Sequence, residues 1–389
     1  MDVTQQGILL LLKSAITEKP QALPDGFDIE AAWPLIRSHH MIPLCYDGAV
    51  RCGVPRQHPV MQQMFKSYCK AMLVSEGQIR ALTRLCAAFD ENGIGYMPLK
   101  GSEMKYLYPK PELRIMGDAD ILIRVEQYDR IVPLMTLLGF SPVLESDHEL
   151  IWKSPALYVE LHKRLIPSYN EDYYAYFGDG WDQANPVSGG RHAMTAEDNW
   201  IYLFTHFAKH YRDGGIGCRH VADLWVYRRA HPAMDEKYIE KAMKKLRLLE
   251  FHENVCRLVN AWFGDGELDE RTEVLSACIF ASGSWGKQED HLLSQTIKKS
   301  RHSILSFSGR LVYLRDLLLP GINSMRQLYP ILEKKPWLLP VMWVYRSVYK
   351  VLFESGKIGY HRQRMETLSR EKLNQRQQML RYVGLDYHF

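Results

Sequence analysis

The sequence has seven cysteines but no C-x-x-C pair. An odd number of cysteines without paired spacing argues against a disulfide framework and against a cysteine zinc site. Reduced thiols in a cytoplasmic protein are the simpler interpretation. We therefore expect a cytoplasmic protein whose fold does not depend on disulfide bonds.

The sequence also lacks an apolar run long enough to cross a bilayer. The most hydrophobic segment, 337–353, is too short and contains Arg346 and Lys350. It predicts a partly buried helix, and a helix on a membrane surface is the alternative. The N-terminal twenty residues have a short apolar run without a preceding basic region, which is not typical of a signal peptide. No membrane span is expected.

Charge of one sign is not concentrated in any part of the chain. The formal net charge is +4, and lysine and arginine are spread along the sequence without a basic tail. This distribution carries no strong nucleic-acid signature, whereas a phosphate-rich small ligand would suit it. The sequence contains no internal repeat and no low-complexity segment.

The hydrophobic periodicity divides the chain into three regions. Residues 1–90 have apolar residues at helical spacing, with a long helix that ends at Asn92-Gly93. Residues 91–168 contain short apolar runs typical of strands, in a small α/β core. Helical spacing returns over 190–389. The predicted fold class is α+β, a mixed-sheet core between two helical regions. The aromatic run at 169–181 is expected to be a surface loop that packs on the core, with acceptor binding as the alternative.

Two acidic residues stand out in the predicted strand DADILIR. Strand side chains alternate between faces, so Asp118 and Asp120 should point to the same side. Two neighbouring carboxylates repel each other and are costly to bury. Arg114 is one candidate for their counter-charge, and a divalent cation such as Mg²⁺, which takes oxygen ligands, is a better one.

A third acid is expected on a neighbouring strand. The predicted strand ALYVELHKRL contains Glu160 between two apolar residues. Glu160 can complete the coordination of a metal and take a proton from an attacking hydroxyl. His162, on the same face, is more typical of a structural partner of a neighbouring acid than of a catalytic group.

The stretch LKGS links a predicted strand to a helix start. Gly101 would let a phosphate approach the backbone, Ser102 adds a hydroxyl, and the start of the helix supplies free N–H groups. Lys100 is either a phosphate contact or a solvated strand end. Arg114 is either a phosphate ligand or the counter-charge of the aspartates.

These motifs resemble those of a known superfamily. Gly101-Ser102, followed after fifteen residues by Asp118-Ala119-Asp120, resembles the G-[GS]…[DE]-x-[DE] signature of the DNA polymerase β-like nucleotidyltransferases. The stretches PLKGSEMKYLYPKPELRIMGDADILI and YVELHKRL are similar to a bacterial family of nucleotidyltransferase-like proteins of poorly defined substrate. Segments outside the core, such as LFTHFAKHY and RHVADLWV, resemble that family as well.

The resemblance implies a role for each matching residue. Gly101 and Ser102 would hold nucleotide phosphates, Asp118 and Asp120 would bind two Mg²⁺ ions, with Mn²⁺ as the alternative metal, and Glu160 would be the third carboxylate. The implied reaction is transfer of a nucleoside monophosphate from a nucleoside triphosphate, ATP or another, to an acceptor hydroxyl. A small molecule or sugar is the favoured acceptor, and a protein or RNA is the alternative. A scaffold that keeps the fold without activity is the competing hypothesis.

A histidine-rich helix follows the predicted core. His206, Lys209 and His210 lie on one face in FTHFAKHYRD. The spacing of the two histidines suits a zinc pair, but Phe207 stands where the H-E-x-x-H motif requires glutamate, which argues against a metalloprotease. We predict that this face either contacts the nucleotide or packs between domains.

Overall fold

The computed structural model describes residues 1–146, 148–168, 170–284, 286–301, 318–322, 325, 328–329, 331–353 and 369–386. These residues form two compact units. The first contains the described residues between 1 and 210 and between 216 and 284, and the second contains 211–215 and 286–386. All the candidate site residues belong to the first unit.

Four helices form the N-terminal part of the first unit. They are α1 (Val3–Thr17), α2 (Ile29–Ser38), α3 (Ile42–Arg51) and α4 (Pro59–Glu91). The long helix α4 ends where the sequence predicts, because Asn92 caps it and Gly93 takes a positive φ of 58°.

A seven-stranded mixed sheet follows. Its strands and the helices between them are β1 (Tyr96–Pro98), α5 (Gly101–Met104), β2 (Ala119–Ile123), α6 (Tyr128–Leu137), β3 (Ser141–Glu145), β4 (Glu149–Lys153), β5 (Tyr158–His162), α7 (Glu171–Phe177), β6 (Asn185–Ser188) and β7 (Arg191–Ala193). The strand order is β3-β4-β5-β2-β1-β7-β6. A 3₁₀ turn at Lys105–Leu107 continues α5, and another lies at Pro111–Leu113.

The remaining helices follow the sheet. In order they are α8 (Ala196–Asp213), α9 (Cys218–Ala230), α10 (Glu236–Lys245), α11 (Leu249–Phe263), α12 (Glu270–Ser282), α13 (Gln288–Arg301), α14 (Ile331–Lys334), α15 (Leu339–Phe353) and α16 (Arg370–Tyr382). The α+β class with helical flanks is therefore confirmed. Of the described helices, none has the length and apolar content needed to cross a membrane.

The prediction of a loop over 169–181 is wrong for residues 171–177, whereas the expected packing on the core agrees with the burial of two aromatic side chains, and residue 169 lies outside the described residues. Residues 171–177 form α7, with Tyr173 and Phe177 buried on one face. Two acids, Glu171 and Asp172, occupy the first turn, where their negative charges interact favourably with the positive end of the helix dipole. The aromatic pair at i and i+4 then supplies an apolar face. The segment therefore has acidic residues at its start and an apolar face, both typical of a helix. Aromatic residues also stand on its other positions, so the helical spacing of the buried pair is not evident from the sequence.

The two faces of the sheet have different roles. Ala119, Ile121 and Ile123 of β2 point into a buried core that includes Phe89 of α4 and Met135 of α6. Strand alternation turns Asp120 and Leu122 to the opposite face. One face therefore stabilises the fold, and the other is free to carry polar groups.

Glycine allows α1 and α3 to pack at very close range. A Cβ atom at Gly48 of α3 would overlap the backbone carbonyl oxygen of Leu11 in α1. We expect Gly48→Ala to lower the free energy of unfolding by about 1–3 kcal/mol, because the helices must separate to admit the methyl group. Thermal denaturation measures the effect.

Gly77 in α4 is the matched control for this substitution. The nearest atom to a Cβ built there is Cβ of Ala156, at 3.9 Å. Gly77→Ala should raise stability by about 0.5–1 kcal/mol, because alanine favours a helix interior. Equal melting temperatures for the two variants would contradict the close contact between α1 and α3.

Candidate active site

Strand register brings the predicted acids onto neighbouring strands. β2 and β5 are parallel, and their register places Asp120 opposite Glu160 and Leu122 opposite His162. Asp118 lies one residue before β2 and is half-buried. Side chains at paired positions share a face, so the carboxylates of Asp120 and Glu160 lie side by side. Their functional roles remain predictions at this stage.

Asp120 is buried and has two cationic or hydrogen-bonding partners. Lys100 Nζ and His162 Nε2 each lie 2.8 Å from Asp120 Oδ1. Burial alone would raise the pKa of Asp120, but the attraction of Lys100 and the hydrogen bond from His162 outweigh it and hold that pKa well below its usual range. Asp120 is therefore an anion at neutral pH.

Lys100 is not a solvated strand end, because its side chain is largely buried and paired with Asp120. Its backbone has a φ of 45° and a ψ of −116°, a sparsely populated conformation that costs a residue with a Cβ roughly 1–3 kcal/mol. Burial opposes its charge, yet Asp120 raises the pKa of Lys100 above its usual range. The ammonium group is thus a permanent charge at the edge of the carboxylates.

Glu160 is in the opposite electrostatic situation. Burial, together with repulsion from Asp118, Asp120 and Glu149, raises the pKa of Glu160 to about 8, although Lys100 acts against this. Burial, the largest contribution, and the charges of the neighbouring carboxylates both disfavour the ionised form of Glu160. A group that titrates near neutral pH is suited to general acid–base catalysis.

Three of these side chains can share a cation. One ligand atom each of Asp120, Glu160 and His162 can be chosen so that all three lie within 4.8 Å of one another. His162 Nε2 is 3.7 Å from Glu160 Oε2. Carboxylate oxygens are the ligands that Mg²⁺ and Mn²⁺ prefer, so the donor set fits such an ion.

The turn before α5 is packed closely against Arg114. A Cβ at Gly101 would lie 2.8 Å from Arg114 Nη1 and 3.3 Å from Cγ of Met116, so glycine is required there. Ser102 is buried, and its hydroxyl has no hydrogen-bond partner among the described residues. The predicted phosphate contacts of Gly101 and Ser102 remain predictions.

Arg114 forms a buried ion pair with α9. Its Nη2 lies 2.9 Å from Asp223 Oδ2 and its Nε lies 3.2 Å from Asp223 Oδ1, while Tyr108 donates a hydrogen bond of 2.8 Å to the same carboxylate. Nη1 donates to the backbone oxygen of Ile115. All three guanidinium nitrogens therefore have partners within the protein, and nucleotide binding by Arg114 remains a prediction.

Helix α8 places its polar face close to Lys100. Lys100 Nζ lies 6.0 Å from the ring centre of Tyr202. Burial raises the pKa of Tyr202 to about 12. One turn further along, burial, with a contribution from the charge of Lys100, lowers the pKa of His206 well below its usual value. His206 is therefore neutral at pH 7.

His206 and His210 face each other along α8. Their Nε2 atoms are 3.0 Å apart, as the i, i+4 spacing predicts. Lys209 is half-buried beside them. Contact of these three residues with a nucleotide remains a prediction.

Several polar residues in the first unit were not selected from the sequence. His148, Glu149 and Tyr202 lie around the carboxylates and their partners, and Lys105 lies near Arg114. The first two come close to His162 only through the pairing of β4 with β5, which places Glu149 opposite His162. Lys105 is buried, and its Nζ has no hydrogen-bond partner among the described residues. Burial lowers the pKa of Lys105 to about 8.

Comparison with known proteins agrees with this geometry. Residues 25–264, more than half of the chain, match a family described as uncharacterised nucleotidyltransferase. The chain belongs to this family. The matched region includes the sheet, the carboxylates, α8 and α9. No curated protein and no solved structure matches the chain.

The contribution of the Arg114–Asp223 ion pair to the stability of the fold can be tested. Both side chains are about nine-tenths buried. Asp223→Asn leaves the guanidinium buried without its counter-charge, which should lower the free energy of unfolding by about 3–5 kcal/mol. Chemical denaturation measures the loss.

The exposed pair of Arg80 and Glu76 is the matched control. Glu76→Gln should cost less than about 1 kcal/mol, because solvent screens an exposed ion pair. If Asp223→Asn is as stable as Glu76→Gln, Arg114 does not depend on this pairing, and its assignment as a structural residue is wrong.

Proposed function

We propose that the chain transfers a nucleoside monophosphate from a nucleoside triphosphate to a hydroxyl group of an acceptor. The acceptor oxygen forms a bond to the α-phosphorus, the bond between the α-phosphorus and the bridging oxygen breaks, and pyrophosphate leaves with the electron pair. A small molecule or sugar is the favoured acceptor. The observation that carries this proposal is the pairing of Asp120 with Glu160 on adjacent parallel strands, beside Asp118.

Asp118, Asp120 and Glu160 would hold divalent cations, with Mg²⁺ favoured. When bound, such ions would neutralise phosphate charge and activate the attacking oxygen. The fit rests on the oxygen-rich donor set and on the raised pKa of Glu160, which results from burial and from the repulsion of the neighbouring carboxylates. A cation among these carboxylates would remove that repulsion.

The protein's own groups have distinct roles in the proposed reaction. Glu160 would accept the proton from the acceptor hydroxyl once bound cations offset the repulsion that contributes to its pKa of about 8 and so favour its carboxylate form. Lys100 supplies a permanent positive charge beside Asp120, where the triphosphate would add negative charge. His162 keeps the Asp120 carboxylate in place through its hydrogen bond.

One observation favours the competing scaffold hypothesis. The Lys100 ammonium already neutralises Asp120, so the buried carboxylate is satisfied by the protein alone. A fold that retained its carboxylates for stability would show the same pair. The two hypotheses differ in whether a nucleoside triphosphate binds in a metal-dependent manner.

Ligand-induced stabilisation separates these hypotheses. The four nucleoside triphosphates are added with and without Mg²⁺, and the melting temperature is recorded. A ligand present at about 100 times its Kd should stabilise the fold by roughly 2.7 kcal/mol. We expect one triphosphate to raise the melting temperature only with Mg²⁺, and the effect to disappear in Asp118→Asn and Asp120→Asn.

Asp179→Asn is the matched control, because Asp179 is an exposed acid outside the strand pair. It should keep the full Mg²⁺-dependent shift. No shift with any triphosphate in the wild type would favour the scaffold. A shift that survives in both aspartate variants would place the cation elsewhere.

Glu160→Gln tests the proton acceptor separately. The amide keeps the shape of the side chain but cannot accept the proton, so turnover should fall about 10²–10⁴-fold while nucleotide binding changes less. Pyrophosphate release during single-turnover reaction measures the chemical step, and titration of the melting temperature measures binding. An unchanged rate would make Glu160 a structural residue.

A further inference from the structure

A second cluster of potential ligands adjoins the carboxylates. It consists of His148, Glu149 and His162, whose ligand atoms all lie within 4.8 Å of one another. His162 belongs to both groups, with Nε2 facing Asp120 and Nδ1 facing His148. The cluster combines two imidazoles with one carboxylate, a donor set different from that of the neighbouring acids.

The spacing of the three atoms matches that of a metal site. His162 Nδ1 is 3.3 Å from His148 Nε2 and 3.8 Å from Glu149 Oε2, and the last two atoms are 4.0 Å apart. A circle through three atoms at these separations has a radius of about 2.2 Å, and zinc lies about 2.0–2.2 Å from nitrogen and oxygen ligands. One ion near the plane of the atoms would reach all three.

Local structure holds the ligands in these positions. The Ser146 hydroxyl accepts hydrogen bonds from the backbone N–H groups of His148 and Glu149, at 3.2 and 3.0 Å. The backbone N–H of Lys163 donates to the carbonyl oxygen of His148 at 2.8 Å. Register then places Glu149 opposite His162. The cluster therefore lies where a turn and a strand pair fix the backbone on both sides.

The hydrogen bond to Asp120 selects the atom of His162 that faces the cluster. A neutral imidazole that donates from Nε2 to the Asp120 carboxylate leaves a lone pair on Nδ1. Histidines that bind metals usually donate their other N–H to a carboxylate or a carbonyl in this way. His148 contacts the cluster through Nε2, which lies 3.3 Å from His162 Nδ1. Its Nδ1 would carry the N–H in a metal-bound imidazole and has no hydrogen-bond partner among the described residues.

We infer that His148, Glu149 and His162 form a binding site for one first-row transition-metal dication, with Zn²⁺ as the ion to test first. Two imidazoles and one carboxylate suit zinc and its neighbours in the series, whereas Mg²⁺ prefers oxygen ligands. The three protein ligands leave further coordination positions open. The inference does not depend on the proposed transferase reaction.

The His162 side chain would connect the proposed zinc site to the carboxylates of Asp120 and Glu160. A metal on Nδ1 of His162 fixes the proton on Nε2, where it is donated to Asp120. The occupied site would therefore hold the imidazole against the carboxylate pair. His162 has a positioning role in this arrangement, and Asp120 is its hydrogen-bond acceptor.

The test measures metal content and needs no nucleotide. The full-length protein is stripped with a chelator, incubated with Zn²⁺ in the presence of excess Mg²⁺, desalted and analysed for bound metal. We expect one zinc ion per chain. In His148→Gln and Glu149→Gln the affinity for Zn²⁺ should fall about 10–100-fold or more, because even indirect partners of a metal contribute this much.

Two controls identify the ligands. The histidine pair of α8 is another arrangement of close imidazoles, so His206→Asn should keep the zinc ion. Co²⁺ substitution gives visible absorption bands of a nitrogen- and oxygen-ligated ion, and a thiolate-to-metal band would instead report a cysteine ligand. Melting temperatures of the metal-free variants confirm that each one folds.

Each result decides the inference. Loss of zinc in the folded His148→Gln and Glu149→Gln variants, with retention in His206→Asn, supports the site. Absence of tight zinc binding, retention in His148→Gln, loss confined to His206→Asn, or a thiolate band would each overturn it. Should His148→Gln fail to fold, Glu149→Gln together with the cobalt spectrum still decides the question.

Discussion

The interaction on which the site depends is the contact of one buried carboxylate, Asp120, with Lys100 and His162. An unpaired charge at this depth would cost several kcal/mol, so its two partners at 2.8 Å are a condition of the fold as well as of any chemistry. Lys100 adopts a sparsely populated backbone conformation where it makes this contact. The strain is local, and the ion pair offsets it.

Strand pairing explains why the other acids gather around this contact. The parallel register of β2 and β5 sets Glu160 beside Asp120, and the antiparallel register of β4 and β5 adds Glu149 beside His162. A slip of one residue would turn every side chain of a strand to the other face. The apolar residues of β2 prevent this slip, because Ile121 and Ile123 must remain in the core. Core packing therefore fixes the geometry of the polar face.

Local sequence patterns predicted the placement of two of the acids, while the functional roles of all three stay predictions. Asp120 and Glu160 are anomalies within apolar strands, and period-two alternation assigns both to one face, whereas Asp118 lies one residue before β2. The helical flanks follow from their periodicity, and the end of α4 from Asn92-Gly93. These features depend on residues that are close in the sequence, so they can be predicted from a single sequence.

Contacts between residues that are far apart in the sequence could not be predicted in this way. The partner of Arg114 proved to be Asp223, more than one hundred residues later, where the sequence offered the nearby aspartates. His148 has no unusual local pattern, and only the hairpin of β4 with β5 brings it to His162. The sequence identified His162 as a structural partner of an acid, but it did not show that both ring nitrogens are engaged.

The two halves of this polar face differ in how their charges are balanced. Asp120 has a protein cation as its partner, whereas Glu160 has acids on several sides and a pKa of about 8. Lys100 can neutralise only part of this group, because its charge is already paired with Asp120. In the proposed reaction, a cation bound by Asp118 and Glu160 would compete with the Lys100 ammonium for Asp120. The lysine would then be free to pair with phosphate oxygens. An ion pair that holds the fold together without nucleotide would in this way supply the positive charge that the nucleotide requires.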